Sequence, residues 1–361
     1  MWRMKPKEHW RQFAVRGESE PAPGYVGHSP LPYPESWYML MPSAELGAGK
    51  VATRRLMGQD VVVYRTASGQ ARAVRAHCPH LGAHLGHGAV RGENIVCPFH
   101  QFAYDADGKI AEVGRGYTDK PKQSTLPVLH CQEANGGIFA WAGTGPPPWA
   151  IPEFLTPRHT PARYVTYDVP THPQEILENG ADTRHVLLLH GYGAAPRPAV
   201  LEGHILNQDI DLIRPIRPLP PLKLRAEIQH YGLGFSTIRI NIAAVGLEQR
   251  ILVSPRPVEP WRVHMAIGAS IRITPPYRSG RGEGDLAQGV MKAVGRAMHP
   301  FVTWLLMREV NSDFQIWSSK KYTNPPRVAA GEGPIGPFRK WAQQFYPERP
   351  VRLWGNVNDP F

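Results

Sequence analysis

Cysteine is scarce in this sequence, with three residues among 361. So few cysteines cannot form a disulfide framework, and this composition favours a reducing, cytoplasmic setting. In that setting, Cys and His residues that occur in pairs indicate a metal site. Long apolar runs are also missing, so the sequence predicts no membrane-spanning helix.

Acidic residues are fewer than basic ones, 30 against 41, and the formal net charge is +11. The Lys and Arg residues are scattered, with no basic cluster interleaved with aromatic side chains, so nucleic-acid binding is not expected. The charge instead favours an acidic protein partner or a solvated surface. The basic N-terminal segment lacks the apolar core and the cleavage site of a secretory signal.

The distribution of Pro, Gly and strand-like segments predicts an arm and two domains. Residues 1–35 are rich in Pro and charge and form the expected arm. Residues 36–145 contain short strand-like segments and form the first domain, and a stiff Pro-rich segment ends it. Residues 146–361 form the second domain.

Local patterns predict the elements of both domains. In the first domain, residues 60–74 and 126–143 each read as a hairpin, the latter turning at Asn135-Gly136-Gly137. In the second domain, alternating segments between 222 and 273 predict long antiparallel strands. Helical spacing over 301–322 predicts a helix that begins after Pro300.

The stretch "CPHLGAHLGHGAVRGENIVCPFH" at residues 78–100 contains two of the three cysteines. Each has a partner histidine: Cys78-x-His80 and Cys97-x-x-His100. A zinc finger usually places both cysteines in one pair and both histidines in the other. Here each loop contains one cysteine and one histidine. This pattern suits a [2Fe–2S] cluster with two thiolates on one iron and two imidazoles on the other, which is the Rieske arrangement.

Other residues around this motif have simpler expected roles. We expect loop or surface positions for His77, His84 and His87, which lie off the pattern. Cys131 is expected to be a small core residue. Tyr104 could either donate a hydrogen bond to the cluster or pack in the core.

A second motif, "ENGADTRHVLLLHGYG" at residues 178–193, has the skeleton Asp182-x-x-His185-x-x-x-x-His190. Two histidines and a carboxylate can bind Fe(II) and leave coordination positions open. In a regular helix, residues five apart point about 140° away from each other. Both histidines can therefore meet one metal only if the helix widens or ends between them, and the glycines that follow indicate an end.

Together, these motifs resemble the large subunit of the Rieske non-haem iron oxygenases. The resemblance covers most of the chain. Two C-terminal stretches, "VNSDFQIWSSKKY" and "GPIGPFRKWAQQFYPE", resemble the branch that contains 3-ketosteroid 9α-hydroxylase and the cholesterol 7-desaturases. The family resemblance implies an α+β chain, with an N-terminal all-β Rieske [2Fe-2S] domain and a helix-grip (START-like) catalytic domain built on a curved antiparallel sheet.

The resemblance also implies roles for particular residues. The family requires a carboxylate from a late helix as third iron ligand beside His185 and His190. Glu309 and Asp313 are both candidates, and the similarity of "NSDFQIW" favours Asp313. Asp182 would bridge an iron-bound histidine and a cluster histidine of the neighbouring subunit. Asn179 matches an asparagine often found near the iron, and its role stays open.

The implied function is that of a terminal oxygenase. It would use O2, and electrons from an NAD(P)H-dependent reductase with or without a ferredoxin, to hydroxylate or desaturate an apolar, sterol-like substrate. Because cluster and iron lie in separate domains of one chain, the family's head-to-tail homotrimer is expected. One alternative is an aromatic-ring hydroxylase or aryl O-demethylase, and another is an electron-transfer protein without catalysis.

Overall fold

A computed structural model describes residues 29–122, 124–216, 218–242, 246–274, 285–348, 351, 353 and 354. Nearly all of the expected N-terminal arm lies outside these residues. The described residues form two compact units. One contains residues 32–152, 256–260 and the described residues after 345, and the other contains residues 29–31, 153–255 and 261–345.

The first unit is built from short antiparallel strands. They are β1 (Ser36–Pro42), β2 (Val51–Leu56), β3 (Gln59–Arg65), β4 (Ala71–Arg75), β5 (Ala89–Arg91), β6 (Asn94–Val96), β7 (Ala103–Tyr104), β8 (Ile110–Glu112), β9 (Val128–Leu129), β10 (Cys131–Ala134) and β11 (Gly137–Ala142). They form three sheets in the orders β1-β11-β10, β2-β3-β4-β9 and β5-β6-β7-β8. One cysteine–histidine pair lies in the connection from β4 to β5, and the other lies in the β6–β7 loop of the last sheet.

Both hairpins predicted in this unit are present. β3 pairs with β4, and β10 pairs with β11. The second turn places Asn135 and Gly136 at φ values of 53° and 76°. These left-handed values explain the Asn-Gly sequence, because both residues accept such a conformation more readily than others.

The second unit combines one large sheet with helices. Its elements are β12 (Arg163–Val169), α1 (Pro173–Glu178), α2 (Thr183–Leu188), β13 (Gly193–Pro196), β14 (Val200–Glu202), β15 (Ile205–Ile216), β16 (Leu219–Tyr231), β17 (Phe235–Ile242), β18 (Leu247–Glu259), β19 (Arg262–Ile273), α3 (Asp285–Ser319) and α4 (Ile335–Ala342). The eight strands follow the order β12-β19-β18-β17-β16-β15-β13, with β14 on β15. The pairs β12–β19, β13–β15, β14–β15, β15–β16, β16–β17 and β17–β18 are antiparallel.

The long helix α3 packs on one face of this sheet. Val302 of α3 forms a buried cluster with Leu247 of β18 and Ile271 of β19. Alternate residues of each strand point to the same face of the sheet. An apolar residue at every second position is therefore enough to form the surface on which the helix packs. The predicted α+β fold, with an all-β first domain and an antiparallel sheet bearing a long helix, is confirmed.

The predicted start of this helix is wrong. α3 begins 15 residues before Pro300, which lies inside it. Proline removes one backbone hydrogen bond and usually ends or kinks a helix. Here the preceding segment, "DLAQGVMKAVGRAMH", is rich in good helix formers. His299 is also anchored, because its Nε2 lies 2.8 Å from the Ala269 carbonyl oxygen. No helix among the described residues is long and apolar enough to cross a bilayer.

Candidate metal sites

The two cysteine loops of the first unit share one backbone pattern. The amide of Cys78 donates to the Ala83 carbonyl, and the amide of Gly82 donates back to Cys78. In the other loop, the amide of Cys97 donates to the Phe102 carbonyl, and the amide of Gln101 donates to the Cys97 carbonyl. The fifth residue of each loop, Gly82 or Gln101, has a positive φ. The sequence pattern of the pairs thus corresponds to two matching tight turns.

These turns bring the predicted cluster residues together. Both cysteines are buried, and the imidazoles of His80 and His100 are partly exposed with ring centroids 4.8 Å apart. A hydrogen bond from Cys78 lowers the pKa of the Cys97 thiol to about 6. Two adjoining sulfurs beside two adjoining imidazoles provide the donor set that a Rieske cluster needs.

Tyr104 lies directly against this donor set. Its hydroxyl is 3.0 Å from Sγ of Cys78. Burial raises the pKa of Tyr104, so the phenol keeps its proton and can donate it to sulfur. Cys131 packs against the core of this unit, and burial raises its pKa to about 12. His77 and His87 are exposed, while His84 is half-buried and caps a short turn.

In the second unit, the helix that carries His185 ends before His190. The carboxylate of Asp182 caps α2 by accepting hydrogen bonds from the amides of Arg184 and His185. α2 ends at Leu188, and the chain turns at Gly191 with φ of 73°. His190 therefore leaves the helical path, which is the condition that the five-residue spacing imposes on a shared metal.

His185, His190 and Asp313 meet as a group of three. One potential ligand atom from each lies within 4.8 Å of the others. The two imidazole centroids are 5.3 Å apart, and Nε2 of His190 is 3.4 Å from Oδ2 of Asp313. Asp313 is buried on α3, so an uncompensated carboxylate there would be unfavourable. A bound cation would compensate it.

The electrostatics of the three groups suit a cation. Burial lowers the pKa of His185, which favours the neutral imidazole that a metal requires. Burial opposes protonation of His190 too, but the hydrogen bond and charge of Asp313 outweigh it and raise the pKa of His190. The buried carboxylate of Asp313 thus favours a positive charge at the group, while His185 stays neutral and able to bind a metal.

Two further residues adjoin this group. Nδ2 of Asn179 donates to Oδ1 of Asp313 at 3.3 Å, so the predicted asparagine reaches the third residue of the group. Glu309, the other candidate carboxylate, lies on the far side of His190, with Oε2 3.8 Å from Nδ1. Asp313 therefore faces the histidine pair, whereas Glu309 faces only the outer nitrogen of His190.

Asp182 contacts His185 through its backbone. Its carbonyl oxygen makes a short hydrogen bond to Nδ1 of His185, while Oδ1 of the side chain caps the helix. Within this chain Asp182 reaches His185 through its backbone carbonyl, and the bridge through its carboxylate stays a prediction. This contact leaves Nε2 of His185 as the nitrogen that faces the group of three.

Sequence reasoning missed the residues that hold Glu309. Arg214 of β15 pairs with Glu309 at 2.9 Å, donates to the Tyr192 hydroxyl and lies over the Tyr192 ring. A signal was present in β15, because Ile210, Leu212 and Arg214 alternate onto one face. An Arg that continues an apolar alternation indicates an acidic or aromatic partner nearby.

Sequence reasoning also missed a buried network of ion pairs that involves the acidic residues of α1. Arg339 of α4 binds both carboxylate oxygens of Glu178, at 2.6 and 2.9 Å. Lys320, next to the end of α3, lies 2.9 Å from the carboxylate of Glu175. The network connects the helix that carries Asn179 with the helix that carries Asp313. No local pattern links residues so far apart in sequence.

Family models match both units. Residues 36–120 match the Rieske [2Fe-2S] domain, and residues 139–346 match the 3-ketosteroid 9alpha-hydroxylase C-terminal domain. A cholesterol 7-desaturase of Caenorhabditis elegans is 28% identical over 360 residues, covering 91% of this chain and 80% of its own. A 3-ketosteroid-9-alpha-monooxygenase oxygenase component of Rhodococcus rhodochrous is 24% identical over 337 residues, covering 89% and 85%.

Solved structures agree on the fold. Dicamba monooxygenase bound to dicamba superposes with a TM-score of 0.60 at 16% identity, covering 86% of this chain and 96% of that one. NdmB of Pseudomonas putida CBB5 gives 0.64 at 15% identity, covering 85% and 89%. Both predicted cofactors, a Rieske [2Fe-2S] cluster and a mononuclear non-haem iron, agree with the family models and with the donor sets. The chain is therefore the oxygenase component of a Rieske non-haem iron system, and it belongs to the family defined by the 3-ketosteroid 9alpha-hydroxylase C-terminal domain.

Proposed function

We propose that this oxygenase hydroxylates or desaturates an apolar, sterol-like substrate. The observation that carries the proposal is the match of residues 139–346, most of the catalytic unit, to the 3-ketosteroid 9alpha-hydroxylase model. Relatives named for cholesterol and for 3-ketosteroids are similar over about nine-tenths of the chain. Both names refer to fused-ring sterol skeletons with few polar groups.

The surface beside the metal group supports an apolar ligand. Ile210, Leu212, Ala226 and Ile228 form a buried cluster on one face of β15 and β16. Val186 and Tyr192, on either side of His190 in sequence, pack against this cluster. The segment that carries the two histidines thus packs on an aliphatic cluster, and apolar surroundings of this kind are typical of sites that take apolar ligands. The charged pair of Arg214 and Glu309 adds one polar position for an oxygen substituent.

The predicted site residues receive roles within this proposal. Cys78 and Cys97 would bind one iron of the cluster, and His80 and His100 the other. His185, His190 and Asp313 would hold the mononuclear iron, which supplies oxygen activation when it is bound. Asn179 would keep the Asp313 carboxylate oriented through its hydrogen bond to Oδ1.

A head-to-tail homotrimer is part of the proposal. Leu81 and Phe99, 65% and 62% exposed, lie beside His80 and His100 in the first unit. Leu188 is 78% exposed on α2 in the second unit, within the Asp182–His190 segment. Exposed apolar side chains beside each metal site suit a heterologous contact that closes into a ring. Asp182 would then link the two metal sites across the subunit boundary.

Turnover assays with a substrate panel test the proposal. The purified chain, supplied with NADH and a Rieske-oxygenase reductase, should convert cholesterol or a 3-ketosteroid to an oxidised product in step with O2 consumption. Products are identified by mass spectrometry, because O2 uptake alone can be uncoupled from substrate oxidation. Product from an aromatic acid or an aryl methyl ether, and none from sterols, would establish the alternative substrate class.

Iron analysis separates catalysis from simple electron transfer. An oxygenase with a two-iron cluster and a mononuclear site should contain about three irons per chain. About two irons per chain in protein that resists Fe(II) reconstitution would indicate an electron carrier.

A further inference from the structure

The connection between α3 and α4 contacts the start of α2. It spans residues 320–334, and most of the side chains from 321 to 331 are exposed. Near its end, the carbonyl of Glu332 accepts a hydrogen bond of 3.1 Å from the amide of Thr183. Thr183 is the first residue of α2, the helix that carries His185. A largely exposed segment thus reaches the helix that presents a histidine of the metal group.

Gly333, the next residue, packs on the backbone that leads into α2. Its φ of 99° lies in the left-handed region, which favours glycine. A Cβ added at this position would overlap the carbonyl oxygen of Ala181 and lie 3.3 Å from the amide nitrogen of Thr183. Both neighbours are backbone atoms, which cannot move aside as the end of a flexible side chain can. Only glycine therefore allows this close contact between the two segments.

Contacts from outside the helix fix the position of α2. The helix has six residues, and a helix this short is not stable on its own in water. Its first amides have no partner within the helix. The Glu332 carbonyl accepts from the first of them, that of Thr183, and the carboxylate of Asp182 accepts from the next two. The connection from α3 therefore completes the cap of α2.

The beginning of this connection is anchored to α1 and α4. Nζ of Lys320 lies 2.9 Å from Oε2 of Glu175, and Arg339 donates a hydrogen bond to the carbonyl of Thr323. The connection continues directly from α3, which carries Asp313. An anchored segment thus joins the helix of one member of the metal group to the cap of the helix of another.

The carboxylate of Glu332 closes the turn that presents its own carbonyl. Its Oε2 accepts a hydrogen bond of 2.7 Å from the amide of Ala329, and the amide of Glu332 donates to the Ala329 carbonyl at 3.4 Å. These two bonds fix the backbone of Glu332, and with it the carbonyl that faces Thr183. The first bond needs an acceptor oxygen on the side chain, which an amide also provides.

We infer that Glu332 and Gly333 are positioning residues for the mononuclear metal site. By fixing the start of α2, they hold His185 near His190 and Asp313 before a metal ion binds. Ligands that are held in place in advance bind a metal more tightly than ligands that have to be ordered on binding. The inference rests on the proposed role of His185 as an iron ligand. It extends the site to a segment that lies outside both sequence motifs.

Fe(II) titration of metal-depleted protein tests the inference, with the visible spectrum of the cluster as a control for folding. Gly333→Ala should weaken Fe(II) binding by about 10- to 100-fold, the loss that is typical when a partner that orients a metal ligand is removed. Gly331→Ala is the matched control. Gly331 has a φ of 84°, so alanine meets similar backbone strain, but its Cβ would face only the end of the Arg184 side chain at 2.9 Å. This variant should bind Fe(II) as wild type does.

A second pair of variants avoids the steric overlap at Gly333. Glu332→Ala removes the bond to the Ala329 amide and should weaken Fe(II) binding in the same direction. Glu332→Gln keeps an acceptor oxygen and should restore binding close to that of wild type. This pair also decides the question if Gly333→Ala does not fold.

Hydrogen exchange provides a readout that does not involve the metal. In metal-depleted Gly333→Ala, the amides of residues 183–188 should exchange about tenfold or more faster than in wild type, because the start of α2 has lost a contact. Amides of β15 to β19 should exchange as in wild type. This difference separates displacement of α2 from a general loss of stability.

Two outcomes would overturn the inference. One is wild-type Fe(II) affinity and wild-type exchange of α2 in folded Gly333→Ala, or in Glu332→Ala if the first variant does not fold. The other is an equal loss of affinity in Gly333→Ala and Gly331→Ala, which would assign the effect to backbone strain alone. His185→Ala tests the proposed function separately, because a variant that kept the mononuclear iron would show that His185 is not a ligand.

Discussion

The Nδ1 atom of His190 lies 3.8 Å from Oε2 of Glu309. The other ring nitrogen, Nε2, faces Asp313 at 3.4 Å. The two carboxylates, one turn apart on α3, therefore face opposite nitrogens of one imidazole. Arg214 holds Glu309 in place at 2.9 Å. A carboxylate on the outer nitrogen is the usual partner that fixes the orientation of a metal-binding histidine.

This relationship predicts that Glu309→Gln weakens iron binding without abolishing it. The amide keeps the size of the side chain but loses the charge that attracts Nδ1–H of His190 and pairs with Arg214. Loss of such an outer partner typically costs about 10- to 100-fold in metal affinity. Fe(II) titration of metal-depleted protein, with the cluster spectrum as internal control, measures the change. Arg214→Gln should produce a smaller loss in the same direction.

Asp313→Ala should have a more severe effect on the same site. The variant should lose the mononuclear iron and turnover but keep the cluster, because two histidines alone bind Fe(II) poorly. Iron per chain should fall from about three to about two, and the visible spectrum of the cluster should be unchanged. If Asp313→Ala retained iron while Glu309→Gln lost it, the third ligand would be Glu309.

Tyr104→Phe should lower the reduction potential of the cluster. The Tyr104 hydroxyl lies 3.0 Å from Sγ of Cys78 and can donate a hydrogen bond to sulfur. Such a bond withdraws charge from the cluster and stabilises the reduced state. If the reduced state gains about 1 kcal/mol more than the oxidised one, the shift is roughly 40 mV for a one-electron couple. A spectroelectrochemical titration measures it, and an unchanged potential would reduce Tyr104 to a packing role.

The sequence predicted those parts of the molecule that depend on short separations. Cys78 and His80 are two residues apart, and Asp182, His185 and His190 lie on one short helix or just beyond its end. Spacing and loop chemistry were therefore enough to predict that the residues of each motif lie close together. The turn at Asn135-Gly136 followed from the two residues that tolerate positive φ. In each case the relevant interaction is local.

Interactions between distant segments could not be derived in this way. Asn179 and Asp313 are joined by a hydrogen bond across 134 positions, and no local pattern indicates that they meet. The choice between Asp313 and Glu309 came from resemblance, because both lie on similar sides of one helix. The start of α3 was misplaced because tertiary packing around His299 overrides the local effect of Pro300.

His230 supplies a prediction about acid stability. It is buried beside Phe338 and Trp341, and within the described part of the chain neither ring nitrogen makes a hydrogen bond. Burial lowers the pKa of His230 to about 3, from an ordinary value of 6.5. Between these two pH values the unfolded chain binds a proton that the native chain does not. Stability therefore rises with pH across this window and falls on acidification, by up to about 1.4 kcal/mol per pH unit from this residue.

His230→Leu should remove that contribution. The variant cannot take up the proton on unfolding, so its urea midpoint should fall less than that of wild type between pH 7 and pH 5. It also replaces two unpartnered ring nitrogens with an apolar side chain of similar length, which should limit any loss at neutral pH. His130→Gln, at an exposed position of the first unit, is the matched control and should follow wild type. Parallel midpoint curves for His230→Leu and wild type would show that His230 takes up no proton on unfolding, and the acid sensitivity would then belong to other groups.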